Sequence, residues 1–285
     1  MIEFISAMRA TGLEPPQHIA PGRVYRFPGI GKSSKNKAGW CRLFDDMRGG
    51  VFGDYSSDLY SVWQEKRSTE YTKAERAEFM RQVELHKKQQ SAEREKTAVT
   101  AAKKAGWILK QTKLEQHAYM DAHGMPDELV NVWRPNDNDN LMVVPMRIGR
   151  ELVGCQLIDR DGNKKFLTGQ RTKGAEYLID GKGLDVWCEG YATGLAIRLC
   201  LHAMRVRYRI HICFSANNMQ QMANSGFIVA DNDRSGVGEK CAIETGLPFY
   251  LPSVIGDDFC DTWQRVGTLN AGMILKQYLM RLKHG

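Results

Sequence analysis

The sequence has no pair of cysteines spaced C-x-x-C, although it contains 7 cysteines among 285 residues. A structural zinc site built on cysteines needs four soft ligands in closely spaced pairs, so no zinc is expected. An odd number of single cysteines also argues against the disulfide framework of a secreted scaffold. We therefore expect reduced thiols that are mainly buried.

Long apolar runs are also missing. No stretch approaches the roughly 18–20 apolar residues of a membrane span, and the first residues lack the basic-then-apolar pattern of a signal sequence. Gly31-Lys32-Ser33 resembles the end of a phosphate-binding P-loop, but Arg26 stands where that motif requires its first glycine. We expect a cytoplasmic protein with no membrane partner and no ATP-driven helicase site in this chain.

Charge and composition favour a globular protein with a polyanionic partner. Lys and Arg number 40 against 33 Asp and Glu, a net charge of +7, and hydrophobic residues make up 42%. A chain with this fraction of hydrophobic residues can form a buried core, and its length predicts about two domains. The basic excess favours a polyanion without identifying one.

Residues 1–66 predict a small antiparallel β module. Short aromatic and β-type runs, Arg23–Phe27, Gly39–Phe44 and Gly50–Tyr55, are bounded by Gly and Pro. Basic residues alternate with aromatic ones, a composition suited to single-stranded nucleic acid. The candidate template-binding residues are Arg23, Arg26, Lys32 and Trp40. The alternative is that the aromatic side chains form the core of the module.

Residues 67–115 hold a long run rich in Lys, Glu, Gln and Ala without Pro or Gly up to Ala105. Strong helix formers and i,i+4 charge pairs predict an exposed, partly linker-like helix over about 72–104. A solvated helix face is favoured over a dedicated nucleic-acid contact.

The remaining sequence changes pattern twice. Residues 116–180 predict a β meander with strands at Leu141–Met146, Glu151–Ile158 and Lys165–Thr168. Residues 181–285 alternate strands with helices, which predicts β-α-β units and a mainly parallel sheet. The expected fold class is α/β in this last part and α+β for the whole chain.

Carboxylates follow two of the strands predicted in 181–285. Glu189 ends Leu184–Cys188, and Asp231 and Asp233 follow Gly226–Ala230. Reactive groups in open α/β sheets gather beyond the carboxyl ends of strands, so these acids are expected to meet. Asp258 and Asp261 add carboxylates in a later loop. Such a cluster repels itself unless a divalent cation neutralises it, and phosphoryl transfer is the chemistry that such cations serve.

The alternative for each carboxylate taken alone is a turn or a cap. Asp and Asn favour turns for local hydrogen-bonding reasons. The combination of a strand-terminal Glu-Gly with a strand-terminal Asp-x-Asp about forty residues later is more specific. We therefore interpret it as a metal site.

These segments together resemble a Toprim domain. The resemblance is carried by Cys188-Glu-Gly-Tyr-Ala-Thr-Gly, by Ile228-Val-Ala-Asp-Asn-Asp-Arg-Ser-Gly and by Asp258-Phe-Cys-Asp. The branch that is most similar is the Toprim primases of bacteriophages, satellite phages and conjugative plasmids. Residues 116–180 resemble the small subdomain that precedes Toprim in these enzymes, and residues 1–66 their leading module. The sequence departs from bacterial-type primases in lacking paired zinc ligands.

The resemblance implies a role for each matching residue. Glu189, Asp231 and Asp233 would be catalytic and metal-binding, and Asp258 and Asp261 would complete the acidic motif. Lys164 or Lys165 resembles a primase lysine that holds nucleotide phosphate or template. Lys165 is favoured because it directly precedes Phe166-Leu167. The implied cofactor is Mg²⁺ or Mn²⁺.

The function expected from this resemblance is a DNA primase. It would join ribonucleoside triphosphates into short RNA primers on single-stranded DNA, as a DNA-directed RNA polymerase of phage or plasmid replication in a bacterial cytoplasm. A separate replicative helicase is a further candidate partner. The alternatives are a Toprim metal-dependent nuclease and a non-catalytic accessory protein that binds single-stranded nucleic acid.

Overall fold

A computed structural model describes residues 1–57 and 59–281, with side chains described as far as residue 279. The chain forms two compact units, the first comprising Met1–Glu93 and the second beginning at Arg94. The mixture of helices with parallel and antiparallel sheets confirms the α+β class. In the described part of the chain, no helix has both the length and the apolar character needed to cross a bilayer.

The first unit is a helix followed by a four-stranded antiparallel sheet in the order β1-β2-β3-β4. Its elements are α1 (Ile2–Ala10), β1 (Val24–Phe27), β2 (Gly39–Leu43), β3 (Gly49–Asp54) and β4 (Leu59–Gln64). The predicted β module is present, and three of its strands lie where the aromatic runs predict them. Helix α1 was not predicted, and it packs on the sheet through Phe4 and Met8, both fully buried.

The long helix α2 (Lys73–Leu109) extends five residues beyond its predicted end. It starts with a capping box, because the Glu75 amide donates to Thr72 Oγ1 and the Thr72 amide donates to Glu75 Oε2. It is less linker-like than expected, since both of its ends pack on a sheet. Phe79 and Val83 pack in the first unit, and Ala101, Ala105 and Ile108 pack in the second.

The second unit contains an antiparallel sheet in the order β5-β6-β7-β8-β9. Its elements are β5 (Lys113–Glu115), α3 (Ala118–Ala122), β6 (Val130–Trp133), β7 (Leu141–Ile148), β8 (Glu151–Ile158) and β9 (Lys164–Phe166). The predicted meander is confirmed as β7, β8 and β9. One face of this sheet packs on the last turns of α2 through Val143 and Cys155.

A second, mainly parallel sheet follows in the order β10-β12-β11-β13-β14, in which only the edge strand β10 is antiparallel. Its elements are β10 (Tyr177–Ile179), β11 (Leu184–Cys188), α4 (Tyr191–Ala203), β12 (Tyr208–Ile212), α5 (Ala216–Met222), β13 (Phe227–Val229), α6 (Val237–Thr245), β14 (Phe249–Tyr250) and α7 (Phe259–Arg281). The predicted β-α-β alternation is confirmed. Helix α7 is interrupted at Gly267, where φ is 79°.

One hydrophobic core joins the two sheets of the second unit. It contains Met142, Val144 and Ile158 from the antiparallel sheet together with Val186 and Ile212 from the parallel sheet. Residues of the predicted segments 116–180 and 181–285 therefore share one interior. Strand β9 lies close to the carboxyl end of β12, since Phe166 contacts the ring of Phe214.

Candidate active site

The centre of the parallel sheet brings the first two predicted carboxylates together. Strands β11 and β13 are neighbours, with Val186 opposite Phe227 and Trp187 opposite Ile228. Neighbouring strands lie about 4.8 Å apart, so Glu189 and Asp231, which follow these strands, emerge side by side. The prediction that Glu189 and Asp231 lie at the same edge of the sheet is confirmed.

Asn232 links the loop after β13 to the loop after β14. Its side-chain amide donates to Pro252 O at 2.8 Å, its backbone amide donates to Asp257 O at 3.0 Å, and its carbonyl accepts from Gly256 N at 2.6 Å. These three hydrogen bonds fix the Asp257–Asp258 segment beside Asp231. No sequence pattern indicated this role for Asn232, which stands between the two aspartates that were predicted to bind metal.

Glu189 lies in a half-buried position below the start of α5. Burial raises the pKa of Glu189 to about 7, while a hydrogen bond from the Ala216 backbone and the charge of Lys164 act in the opposite direction. The charges of the Asp233 and Asp258 carboxylates contribute to this raised pKa. The Glu189 carbonyl accepts from Phe214 N at 2.9 Å, and Phe214 has the left-handed φ of 65°. Such strain in a bulky residue is typical of functional sites.

Asp231 is the most perturbed carboxylate of the group. Burial, followed by the charges of Glu189 and Asp258, raises the pKa of Asp231 to about 8, against a lowering by Lys164. Its Oδ1 is buried and has no hydrogen-bond partner among the described residues. A buried carboxylate oxygen without a partner is costly, so this atom is placed to receive a ligand.

Asp233 belongs to the same acidic group but is held by local hydrogen bonds. It accepts from Ser235 Oγ and from the amides of Ser235, at 2.8 Å, and Gly238, at 2.9 Å. These bonds, that of the Ser235 side chain first, lower the pKa of Asp233. The residue therefore anchors the first turn of α6, and its charge adds to the field that acts on Glu189 and Asp231.

Asp258 and Asp261 form a reciprocal cap at the start of α7. The Asp258 amide donates to Asp261 Oδ2 at 2.8 Å, and the Asp261 amide donates to Asp258 Oδ1 at 3.0 Å. Thr193 Oγ1 donates to Asp258 Oδ2 at 2.9 Å, which directs this carboxylate toward α4 and the site. Asp258 acts electrostatically on Glu189 and Asp231, whereas the exposed Asp261 acts as a helix cap.

Lys164, and not Lys165, has its charge directed at the acidic group. In the pairing of β8 with β9, Lys164 lies opposite Ile158 and Lys165 opposite Leu157. Ile158 belongs to the core shared with the parallel sheet, and Leu157 packs on the α2 side. The Lys164 charge lowers the pKa of both Glu189 and Asp231, while Lys165 acts on Asp159. The preference for Lys165 is therefore not supported by the geometry.

Aromatic residues that the sequence did not single out complete the surroundings of Lys164. Its ammonium lies 5.7 Å from the ring centroid of the buried Tyr119. Phe166, which alternation places on the same face of β9 as Lys164, is 43% exposed and contacts Phe214 edge-on. An exposed aromatic ring therefore stands between the lysine and the strained residue after β12.

Trp40 was predicted to bind template, and the structure contradicts this. The side chain is 1% exposed and its ring stacks on both Tyr55 and His86, with centroid distances of 5.7 and 5.5 Å. Phe27 and Phe44 are buried as well, so the aromatic residues of this module form its core. No face of Trp40 is open to a base.

The predicted basic residues of the first unit remain exposed. Arg23 and Lys32 lie on its surface. Arg26 is also exposed, but it is held in place because Nε donates to Lys37 O at 2.8 Å and the guanidinium lies 4.4 Å from the Tyr55 ring centroid. These three cations can contact phosphate groups without any aromatic stacking from Trp40.

The residues present fit a divalent cation, although within the described residues no three His, Cys, Asp or Glu side chains already stand in a metal-binding arrangement. The fit rests on the buried Asp231 Oδ1 without a hydrogen-bond partner and on the mutual repulsion of Glu189, Asp231 and Asp258. Carboxylate oxygens are the ligands that Mg²⁺ and Mn²⁺ prefer. A cation would satisfy the unpartnered oxygen and neutralise the repulsion together.

Comparison of this chain with models of known protein families and with curated proteins finds no match to either.

Proposed function

We propose that this protein is a primase of the Toprim type, which joins ribonucleotides into short RNA primers on single-stranded DNA. The observation that carries the proposal is the acidic group at the carboxyl edge of the parallel sheet, in which Asp231 has a buried oxygen without a partner and Lys164 faces the acids from a separate sheet. Acids that hold cations beside a lysine that holds phosphate are the parts that nucleotidyl transfer needs.

In this proposal Glu189, Asp231 and Asp258 hold Mg²⁺ or Mn²⁺, and Asp233 maintains the negative field and the position of α6. When bound, the cation neutralises the charge that develops on the phosphates. In the metal-free protein, a pKa of about 7 leaves Glu189 partly protonated near neutral pH, so a bound cation has to displace that proton.

The partners in this proposal are single-stranded DNA and ribonucleoside triphosphates. Lys164 would bind the triphosphate, and Arg23, Arg26 and Lys32 would contact template phosphates. Replication of a phage or plasmid in the bacterial cytoplasm, together with a separate helicase, is the setting that the sequence resemblance implies. The nuclease and the accessory protein remain the competing functions, and each gives a different product pattern below.

The primary test is primer synthesis by the purified full-length protein. It is incubated with single-stranded DNA, labelled ribonucleotides and Mg²⁺ or Mn²⁺, and the products are resolved on a sequencing gel. We expect a short ladder that depends on template and is reduced at least about 100-fold by Asp231→Ala, since metal stabilisation of a transition state is worth several kcal/mol.

Asp127→Ala, at an exposed aspartate elsewhere in the second unit, is the matched control and should leave the ladder intact. Shortened template without a ladder would replace the primase with the nuclease. Binding of DNA that survives Asp231→Ala, with no turnover of any nucleotide, would replace it with the accessory protein.

The two adjacent lysines give an internal comparison. We expect Lys164→Ala to raise the KM for ribonucleotides and lower kcat/KM about 10- to 100-fold, because a cation facing the acidic group is lost. Lys165→Ala should change kcat/KM less than about threefold, since its side chain lies on the opposite face of β9. The reverse order would show that the resemblance, and not the strand register, identifies the functional lysine.

A further inference from the structure

Helix α2 changes its charge pattern along its length. All five of its acidic residues lie between positions 73 and 95, and none lies between 96 and 110. The later segment contains four lysines, Lys96, Lys103, Lys104 and Lys110, all of which are exposed. The helical hydrogen bonding continues to Lys110, whose amide donates to Gly106 O at 3.3 Å. In this part of α2, which belongs to the second unit, every charged side chain is basic.

The spacing of these residues places them on the outward face. Lys96, Thr100, Lys103, Trp107 and Lys110 follow one another at intervals of four and three, which defines one stripe of a helix. The opposite face carries four buried residues, Ala98, Ala101, Ala105 and Ile108, and the last three of them pack against the antiparallel sheet. The stripe is about 21 Å long, from 14 residues at a rise of about 1.5 Å each. We call it the α2 stripe.

An exposed tryptophan lies within the α2 stripe. Its side chain, that of Trp107, is 57% exposed. Its ring contacts that of Trp133 edge-on, with centroids 6.1 Å apart and an interplanar angle of 80°. A large aromatic ring open to solvent between two lysines matches the combination of base stacking and phosphate contact in single-strand binding.

The charges around the α2 stripe favour a polyanion over a protein partner. In the described part of the chain, none of Lys96, Lys103 and Lys110 forms an ion pair. Two acids, Glu95 and Glu151, line a cleft along one side of Lys103 together with Arg171. The stripe itself contains no carboxylate that would be buried against phosphates.

We propose that the α2 stripe binds single-stranded DNA, with Trp107 stacking on a base and Lys96, Lys103 and Lys110 contacting phosphates. The inference rests on the proposed function only in naming the nucleic acid as the template. It does not require the acidic site to act, because stacking and phosphate contacts need neither nucleotide nor divalent cation.

The test measures binding of a fluorescein-labelled 20-residue oligothymidylate to the full-length protein by anisotropy, in EDTA and without nucleotides. We expect Trp107→Ala to weaken binding about tenfold and Trp107→Phe to restore most of the loss, since a stacked base contributes about 1–3 kcal/mol. Leu129→Ala, at a similarly exposed apolar residue, should leave binding unchanged.

The lysines are tested through the salt dependence of the same binding. The triple variant Lys96→Gln, Lys103→Gln, Lys110→Gln should reduce the slope of log K against log salt by about 2, from about 0.7 per phosphate contact on single strands. The control variant Lys88→Gln, Lys182→Gln, Lys276→Gln changes net charge equally at three exposed lysines outside the stripe. Its slope should change by less than about 1.

Two outcomes would overturn the inference. If both triple variants changed the slope equally, binding would depend on net charge alone. If Trp107→Ala left DNA binding intact but abolished self-association in sedimentation velocity, the α2 stripe would be a contact between copies of this chain. If the wild-type protein bound DNA as expected but made no primers, the proposed function would fail and the inference about the α2 stripe would stand.

Discussion

Asp231→Asn is expected to stabilise the metal-free protein at pH 8 while it removes the response to metal. Burial and the charges of Glu189 and Asp258 raise the pKa of Asp231 to about 8, far above the value of about 3.9 in an unfolded chain. Between these values the folded protein retains a proton that the unfolded chain has released. The free energy of unfolding of the metal-free protein therefore falls as pH rises from about 4 to about 8.

The amide in Asp231→Asn carries no charge, so the variant escapes most of this loss. We expect its Tm in EDTA at pH 8 to exceed that of the wild type by about 2–4 °C, which corresponds to about 1 kcal/mol in a domain of this size. At pH 5 the difference should shrink, because Asp231 is then protonated in the folded protein. Scanning calorimetry at both pH values measures the two differences.

In the same experiment, added metal should raise the Tm of the wild type relative to that of Asp231→Asn. A cation competes with protons for Glu189 and Asp231, so Mn²⁺ should raise the Tm of the wild type more at pH 8 than at pH 6. Asp231→Asn should lose most of this increase, whereas Asp127→Asn, the exposed control, should keep it. An equal metal response in wild type and Asp231→Asn would contradict a metal site at Asp231.

Gly238→Ala is expected to damage the same site through the backbone. A Cβ atom at Gly238 would lie 2.2 Å from the carbonyl oxygen of Asp231, and neither group is the end of a flexible side chain. The first turn of α6 must therefore move away from the loop after β13. This movement also lengthens the hydrogen bond from the Gly238 amide to Asp233, so we expect a loss of about 1–3 kcal/mol in the free energy of unfolding.

The matched control lies two residues earlier. Gly236→Asn introduces a side chain with no atom within 4 Å of its Cβ, at a left-handed φ of 68° that asparagine tolerates. Urea unfolding of both variants, followed by the Mn²⁺ thermal shift, separates a local clash from a general sensitivity of α6. If Gly238→Ala had the stability and metal response of Gly236→Asn, the close approach of α6 to Asp231 would be unimportant.

Much of the second unit could be predicted because its elements are long and strongly patterned. The predicted bounds of β8 and β11 agree with the structure, as Glu151–Ile158 and Leu184–Cys188. The missed elements are mostly short, such as β10 and β14 with three and two residues. Strands of that length form through pairing with a distant neighbour, and local sequence contains little information about such pairing.

Within the candidate site, the shared sheet edge of the acids could be anticipated, but the strand order and the register could not. Glu189 and Asp231 were expected to meet because reactive groups gather beyond the carboxyl ends of strands in open α/β sheets. They lie side by side because β11 pairs with β13 as well as with β12, an order that the β-α-β alternation does not determine. The choice between Lys164 and Lys165 depends on which face of β9 each occupies, and a shift of one residue exchanges the faces. The prediction for Trp40 was wrong for a related reason. The alternation of residues along a strand does not show whether another element covers an aromatic ring, and His86 of α2 covers the ring of Trp40.

The hydrogen bonds of Asn232 have a consequence for local opening of the protein. Since one residue holds both the loop after β13 and the loop after β14, neither loop can separate without breaking bonds to the other. The amide hydrogens of Asn232 and Gly256 should therefore exchange with solvent deuterium at similar protection, as members of one cooperative unit. When the two loops are closed, Asp231 and Asp258 are both in position, and when the loops open, both are displaced. The assembly of the acidic group is then a two-state property of the fold.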